Sequence, residues 1–170
     1  MSGGELVRLV RLDRLPPSTT VEASAAECAA LSERFGLPAV HTLAAEVQFT
    51  PHGDAVDARG RIIASFEQRC AVSDEPFANT LEEPIAFRFV AALAPHGEAE
   101  EIEFAKDAPD EIEYAGASFD LGEAVAQSFG LALDPYAEGP NADTIRRETG
   151  LSDEDTPSGP FSALASLKKD

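Results

Sequence analysis

The sequence predicts an α+β fold, a mainly antiparallel β-sheet with flanking helices, and three observations predict it. Apolar and polar residues alternate in long stretches between residues 43 and 92, the period of strands with one wet face. Two other stretches space their apolar residues by three and four, as one face of a helix requires. Each of these opens on a capping-box pattern, Ser24 with Glu27 and Asp120 with Glu123, in which the two side chains reciprocally satisfy free N–H groups. An acidic loop and a mobile polar C-terminal segment complete the expected class.

Taken in order, Leu6 to Leu12 read as a short strand, although a helix also fits, and Pro16-Pro17 end it. A helix is predicted over 25–35, with Cys28, Leu31 and Phe35 on one stripe. Gly36 and Pro38 stop it. A strand follows over 43–49, where Leu43, Ala45, Val47 and Phe49 alternate with Ala44, Glu46 and Gln48. A turn at 50–54 leads into a strand over 55–72, which alternates Val56, Ala58, Ile62, Ala64 and Phe66 with Asp57, Arg59, Arg61, Ser65 and Glu67. Asp74-Glu75-Pro76 turns the chain into a third strand over 77–92, carrying Ile85, Phe87 and Phe89. Residues 95–110 form the acidic loop, and 111–114 a short strand. The last helix, over 121–131, aligns Leu121, Val125 and Phe129 and is stopped by Asp134-Pro135. The expected organisation is one α+β domain over 1–135, a mobile polar linker over 136–158 and a short C-terminal helix over 159–170.

With 170 residues, 44% of them hydrophobic, the chain can bury a real core. Its formal charge of −18 is unevenly spread: residues 1–97 hold 13 acidic and 8 basic groups, residues 98–170 hold 18 and 5. Such a surface repels phosphate and anionic lipid overall, so any nucleic-acid contact must be local. No apolar run reaches the length of a membrane span. Arg8, Arg11 and Arg14 break up any signal-like N-terminal stretch. Two cysteines make no disulfide framework. A cytoplasmic protein without cofactor, metal, membrane or small-molecule substrate is expected.

Four arginines on predicted strands, Arg59, Arg61, Arg69 and Arg88, are the candidate RNA- or partner-binding residues. The first three share parity, which places them on one face unless a bulge intervenes. Guanidinium groups there can bind phosphates or stack on bases; they can equally pair with Glu46, Glu67 or the acidic loop. That loop offers Glu98, Glu100, Glu101, Glu103, Asp107 and Asp110 as an acidic partner surface. Cys70 can be a nucleophile, activated by Arg69 if the two are close, or a buried structural thiol. No phosphate loop, Gly-x-Ser-x-Gly elbow or His-Glu-x-x-His pattern occurs, so no catalytic residue is proposed.

Three segments in order carry a resemblance: Gly60 to Phe77, with Gln68-x-Cys70-x-Val72 and Glu75-Pro76; Ser118 to Tyr136, with Phe119-Asp120-Leu121-Gly122-Glu123; and Gly159 to Leu167. From about Leu6 to Leu167 the chain resembles the YceD family, the large ribosomal RNA subunit accumulation proteins of bacteria and plastids, and in particular its alphaproteobacterial branch. The family motif residues here are Gln68, Cys70, Glu75, Pro76, Asp120 and Leu121. The resemblance implies a non-enzymatic ribosome-biogenesis factor that supports synthesis or stability of large-subunit (23S) ribosomal RNA. Its partners would be the large-subunit ribosomal RNA precursor or a basic ribosomal protein. Many members carry a cysteine cluster after the Asp-Leu helix; residues 136–158 here contain no cysteine, so no zinc site is inherited. The alternative is an acidic protein–protein adaptor unrelated to ribosomes.

Overall fold

A computed structural model describes residues 5–92 and 109–150. Its elements, in chain order, are β1 (Leu9–Arg11), β2 (Ser18–Glu22), α1 (Ala25–Phe35), β3 (Ala39–His52), β4 (Ala55–Arg69), β5 (Pro76–Ala91), β6 (Asp110–Tyr114), β7 (Ser118–Asp120), α2 (Leu121–Ala132) and α3 (Ala142–Thr149). The fold is α+β, as predicted. Five strands form one sheet in the order β2-β3-β4-β5-β6, and β1 pairs with β7 in a separate two-stranded ribbon. Every ladder is antiparallel except β5–β6, which is parallel.

Alternation decides which face of the sheet is covered. Val47, Phe49, Ala58, Ile62, Ala64, Phe66, Phe87 and Phe89 are buried, while their neighbours along β3, β4 and β5 point away from the core. The helices and the β1–β7 ribbon contribute the other half of that core, with Leu6, Cys28, Leu31, Phe119, Leu121, Val125 and Phe129. Phe129 sets its ring edge-on to Phe66 at 5.4 Å and to Phe35 at 5.7 Å, and Phe119 stacks on Phe89 at 3.9 Å. Buried aromatic pairs in these geometries add to the area term. Gly122 is required where α2 begins, because a Cβ there would stand 2.4 Å from the carbonyl oxygen of Leu6.

Both helix starts behave largely as their sequences dictate. Ser24 and Glu27 form the complete capping box, and Gly36 ends α1 in the left-handed region at φ 63°. Asp120 accepts from the Glu123 N–H at 3.1 Å and from the Arg8 N–H at 2.9 Å. The other half of the second box does not form: the Glu123 carboxylate takes both terminal nitrogens of Arg34, at 2.8 and 2.9 Å, and so ties α1 to α2.

Four differences from the sequence reading have physical reasons. Residues 18–22, which carry one buried apolar side chain, Val21, still form an edge strand because β3 offers its ladder over 44–48. Residues 118–120, read only as the approach to a helix, pair with β1 first. Strand β4 ends at Arg69 rather than 72, since the chain turns at once and Asp74 takes φ 59°. Of the expected mobile polar linker 136–158, residues 136–150 are described and carry structure, while 151–158 lie outside the described residues. The Ala137 carbonyl accepts from the Ala71 N–H, Gly139 lies against the Phe77 ring, and α3 occupies 142–149 with Ala142 buried. The expected helix over 159–170 lies outside the described residues.

Candidate functional site on the open sheet face

The face of the five-stranded sheet that is uncovered among the described residues gathers all four strand arginines. Strand β4 pairs with β5 without interruption from Val56 to Arg69, so Arg59, Arg61 and Arg69 keep one side. The irregularity in this part of the sheet is on β3, between Val40 and Thr42, where it disturbs no arginine. Arg88 joins the same side because it stands opposite Asp57 across the ladder.

The ion pairs of these arginines are not those anticipated with Glu46 or Glu67. Arg88 grips the largely buried Asp57 carboxylate through Nε at 2.7 Å and Nη2 at 3.1 Å. The Arg88 guanidinium, with smaller help from His52 and Arg59, holds the Asp57 carboxyl below its ordinary value against the opposing effect of burial. His52 Nε2 lies 3.2 Å from the same carboxylate. Arg61 reaches diagonally to Glu82, with Nη1 2.8 Å from Oε1, a contact the strand geometry allows. Arg69 turns to its own hairpin, donating to the Asp74 carbonyl at 3.1 Å. Glu67 pairs with His41 at 3.4 Å. Arg59 forms no ion pair among the described residues. Carboxylates nevertheless outnumber arginines on this face, since Glu22, Glu46, Asp57, Glu67, Glu82 and Glu111 stand on the same rows.

Where Arg59 stands, the face is concave. A depression of about 680 Å³ crosses β2, β3 and β4; Ser18, Thr20, Glu46, Gln48, Arg59 and Arg61 are among its lining residues. Its floor includes Gly60, where a Cβ would fall 1.8 Å from the Glu46 carbonyl oxygen. Only a residue without a side chain permits the two backbones to approach so closely. This depression was not legible in the sequence beyond the mid-strand glycine, since it needs β2, whose pairing the apolar pattern does not announce.

The motif residues hold the fold together. Gln68 is buried and donates through Nε2 to the Asp134 carbonyl, while its Oε1 accepts from Asn79 at 3.2 Å. The Glu75 carbonyl accepts from the Cys70 N–H at 2.9 Å, and the Glu75 carboxylate accepts from Asn141 at 3.2 Å. Pro76 begins β5 opposite Arg69, Asp120 caps α2, and Leu121 is fully buried. Cys70 is buried as well. The Ser73 hydroxyl, followed by the backbone N–H groups of Ser73, Gly139 and Val72, stabilises its thiolate and lowers the thiol to about 7. The activating groups are thus these donors, and the guanidinium of Arg69 is engaged elsewhere. These bonds tie residues 68–75 to residues 134–141.

Of the acidic partner surface, Asp110 is the first residue of β6 and is exposed; Glu98, Glu100, Glu101, Glu103 and Asp107 lie outside the described residues. Among the described residues no group of three or more His, Cys, Asp or Glu side chains is placed to hold a metal ion. No described helix is long and apolar enough to cross a membrane. Comparison with protein-family models, curated proteins and solved structures finds no match for this chain.

Proposed function

We propose that the chain is a non-enzymatic, cytoplasmic ribosome-biogenesis factor that supports accumulation of large-subunit (23S) ribosomal RNA by engaging the precursor particle. The observation that carries this reading is the convergence of Arg59, Arg61, Arg69 and Arg88 on the sheet face that no helix covers among the described residues. A ribonucleoprotein particle suits such a molecule, because it presents phosphates and basic protein tails side by side. The arginine rows meet the former. The carboxylates around them, and Asp110, Glu111 and Glu113 on the edge strand β6, suit a basic ribosomal protein. The resemblance of the three ordered segments to the YceD family supports the same reading.

The tagged protein is expected to sediment with large-subunit precursors on a sucrose gradient and to leave them as salt rises, because exposed charges are screened beyond about 8 Å at physiological ionic strength. Depleting it should lower large-subunit relative to small-subunit ribosomal RNA. Sedimentation at the top of the gradient at every salt concentration, with an unchanged RNA ratio, would overturn the proposal. The excess of carboxylates favours one second reading, an acidic adaptor for a basic protein unrelated to ribosomes. Recovery of that protein from gradients free of ribosomal particles would establish it.

A further inference from the structure

Resting on the ribosomal reading, we propose that the depression around Arg59 binds the sugar–phosphate backbone of single-stranded RNA, with Arg59 on a phosphate and Glu46 on a ribose hydroxyl. The face as a whole is too acidic to attract a polyanion, so the contact has to be local. Arg59 supplies the local charge: Arg61, Arg69 and Arg88 each hold a carboxylate, whereas Arg59 holds none among the described residues. Arg61 gives one nitrogen to Glu82 and has others to spare. Ser18, Thr20 and Gln48 add neutral donors at the same rim. Glu46 in the lining and Glu82 on Arg61 balance the two guanidiniums, so this depression is close to neutral in a chain of net charge −18, and Arg59 is its one cation without an ion pair among the described residues.

Three features set the class of ligand. Phe66, Phe87 and Phe89 of β4 and β5 are buried in the core, and among the described residues no phenylalanine, tyrosine or tryptophan lines this depression, so recognition falls mainly to the backbone. A duplex would bring its dense phosphates over Glu22 and Glu82 as well, and they would repel it; a single strand crossing the depression avoids most of that. Glu46 would be a liability beneath a phosphate, but a carboxylate accepts well from a hydroxyl, and the ribose 2′-hydroxyl is the group that separates RNA from DNA.

The test is fluorescence anisotropy of the full-length protein with a labelled oligouridylate at low and rising salt, beside the deoxy strand of the same sequence. The ribo strand should bind more tightly than the deoxy strand. Arg59→Gln should weaken it about fivefold to tenfold and reduce the salt slope by about 0.7, the loss of one phosphate contact on a single strand. Arg147→Gln, on the exposed last turn of α3, should change neither. Glu46→Ala should bring the two strands to equal affinity. The proposal is overturned if the wild type ignores the oligouridylate at low salt, if it binds both strands equally, or if Arg59→Gln and Arg147→Gln behave alike. Should oligouridylate binding fail while co-sedimentation with ribosomal precursors persists, the depression loses its role and the ribosomal reading stands.

Discussion

Glu27 serves two structures at once. Its carboxylate accepts from the Ser24 N–H at 2.8 Å, closing the capping box, and from both terminal nitrogens of Arg8, at 2.7 and 2.9 Å. The Arg8 guanidinium first, and the Ser24 N–H second, lower the Glu27 carboxyl from 4.5 to about 2. The sign follows directly: the folded state holds fewer protons than the unfolded chain between these values. The stabilisation is therefore full above pH 4.5 and is lost as the pH falls toward 2. Glu27→Gln should cost about 1–2 kcal/mol at neutral pH, toward the low end because Arg8 is partly exposed. It should also flatten the decline of the melting temperature with acid in that window. An acid decline identical to that of the wild type would show that the pair contributes nothing. The capping half of this arrangement is written in the Ser24–Glu27 spacing; the Arg8 half is not, because nothing local to residue 8 says which helix it will meet.

At the scale of elements, α2 depends on one cap and one ring. Asp120 satisfies N–H groups from two different segments, so Asp120→Ala should cost about 1–2 kcal/mol, the upper part of the range for a helix cap. Phe129 is fully buried between Phe35 and Phe66, and Phe129→Ala should cost about 3–5 kcal/mol. Denaturant titrations of the two variants should rank them in that order; equal midpoints would mean that the stripe is not packed as described. The elements legible in the sequence were those whose own residues state the pattern: α1, α2, the alternating parts of β3, β4 and β5, and the short strand β6, expected over 111–114. Those that were not take their structure from a neighbour. Strand β2 has one buried apolar side chain and β7 is three residues long, so neither shows a period. Helix α3 buries only Ala142, and a helix without an apolar stripe is invisible to periodicity.

Across the whole molecule, the candidate site was half visible. Parity alone places Arg59, Arg61 and Arg69 together, and the unbroken β4–β5 register keeps them so. Their ion-pair partners depend on cross-strand register, which no single strand encodes, and so Glu82 and Asp57 replace the anticipated Glu46 and Glu67.

The ribbon of β1 with β7 has a further consequence, for the order of events during synthesis. The Arg8 N–H meets the Asp120 carboxylate across a separation of 112 residues, and the adjoining Leu6 is almost fully buried in the core. This early segment therefore waits for a partner made 112 residues later. At about 5–20 residues per second, Leu6 waits on the order of 6–20 s before Gly122 leaves the exit tunnel. The hairpin of β3 and β4 can close in the meantime. Nascent chains stalled before residue 120 should be cut by protease within residues 5–12 yet resist cleavage in β3 and β4, and chains stalled well beyond α2 should resist at both places. Equal protection of residues 5–12 at the two lengths would show that the first segment finds another partner before its own has been made.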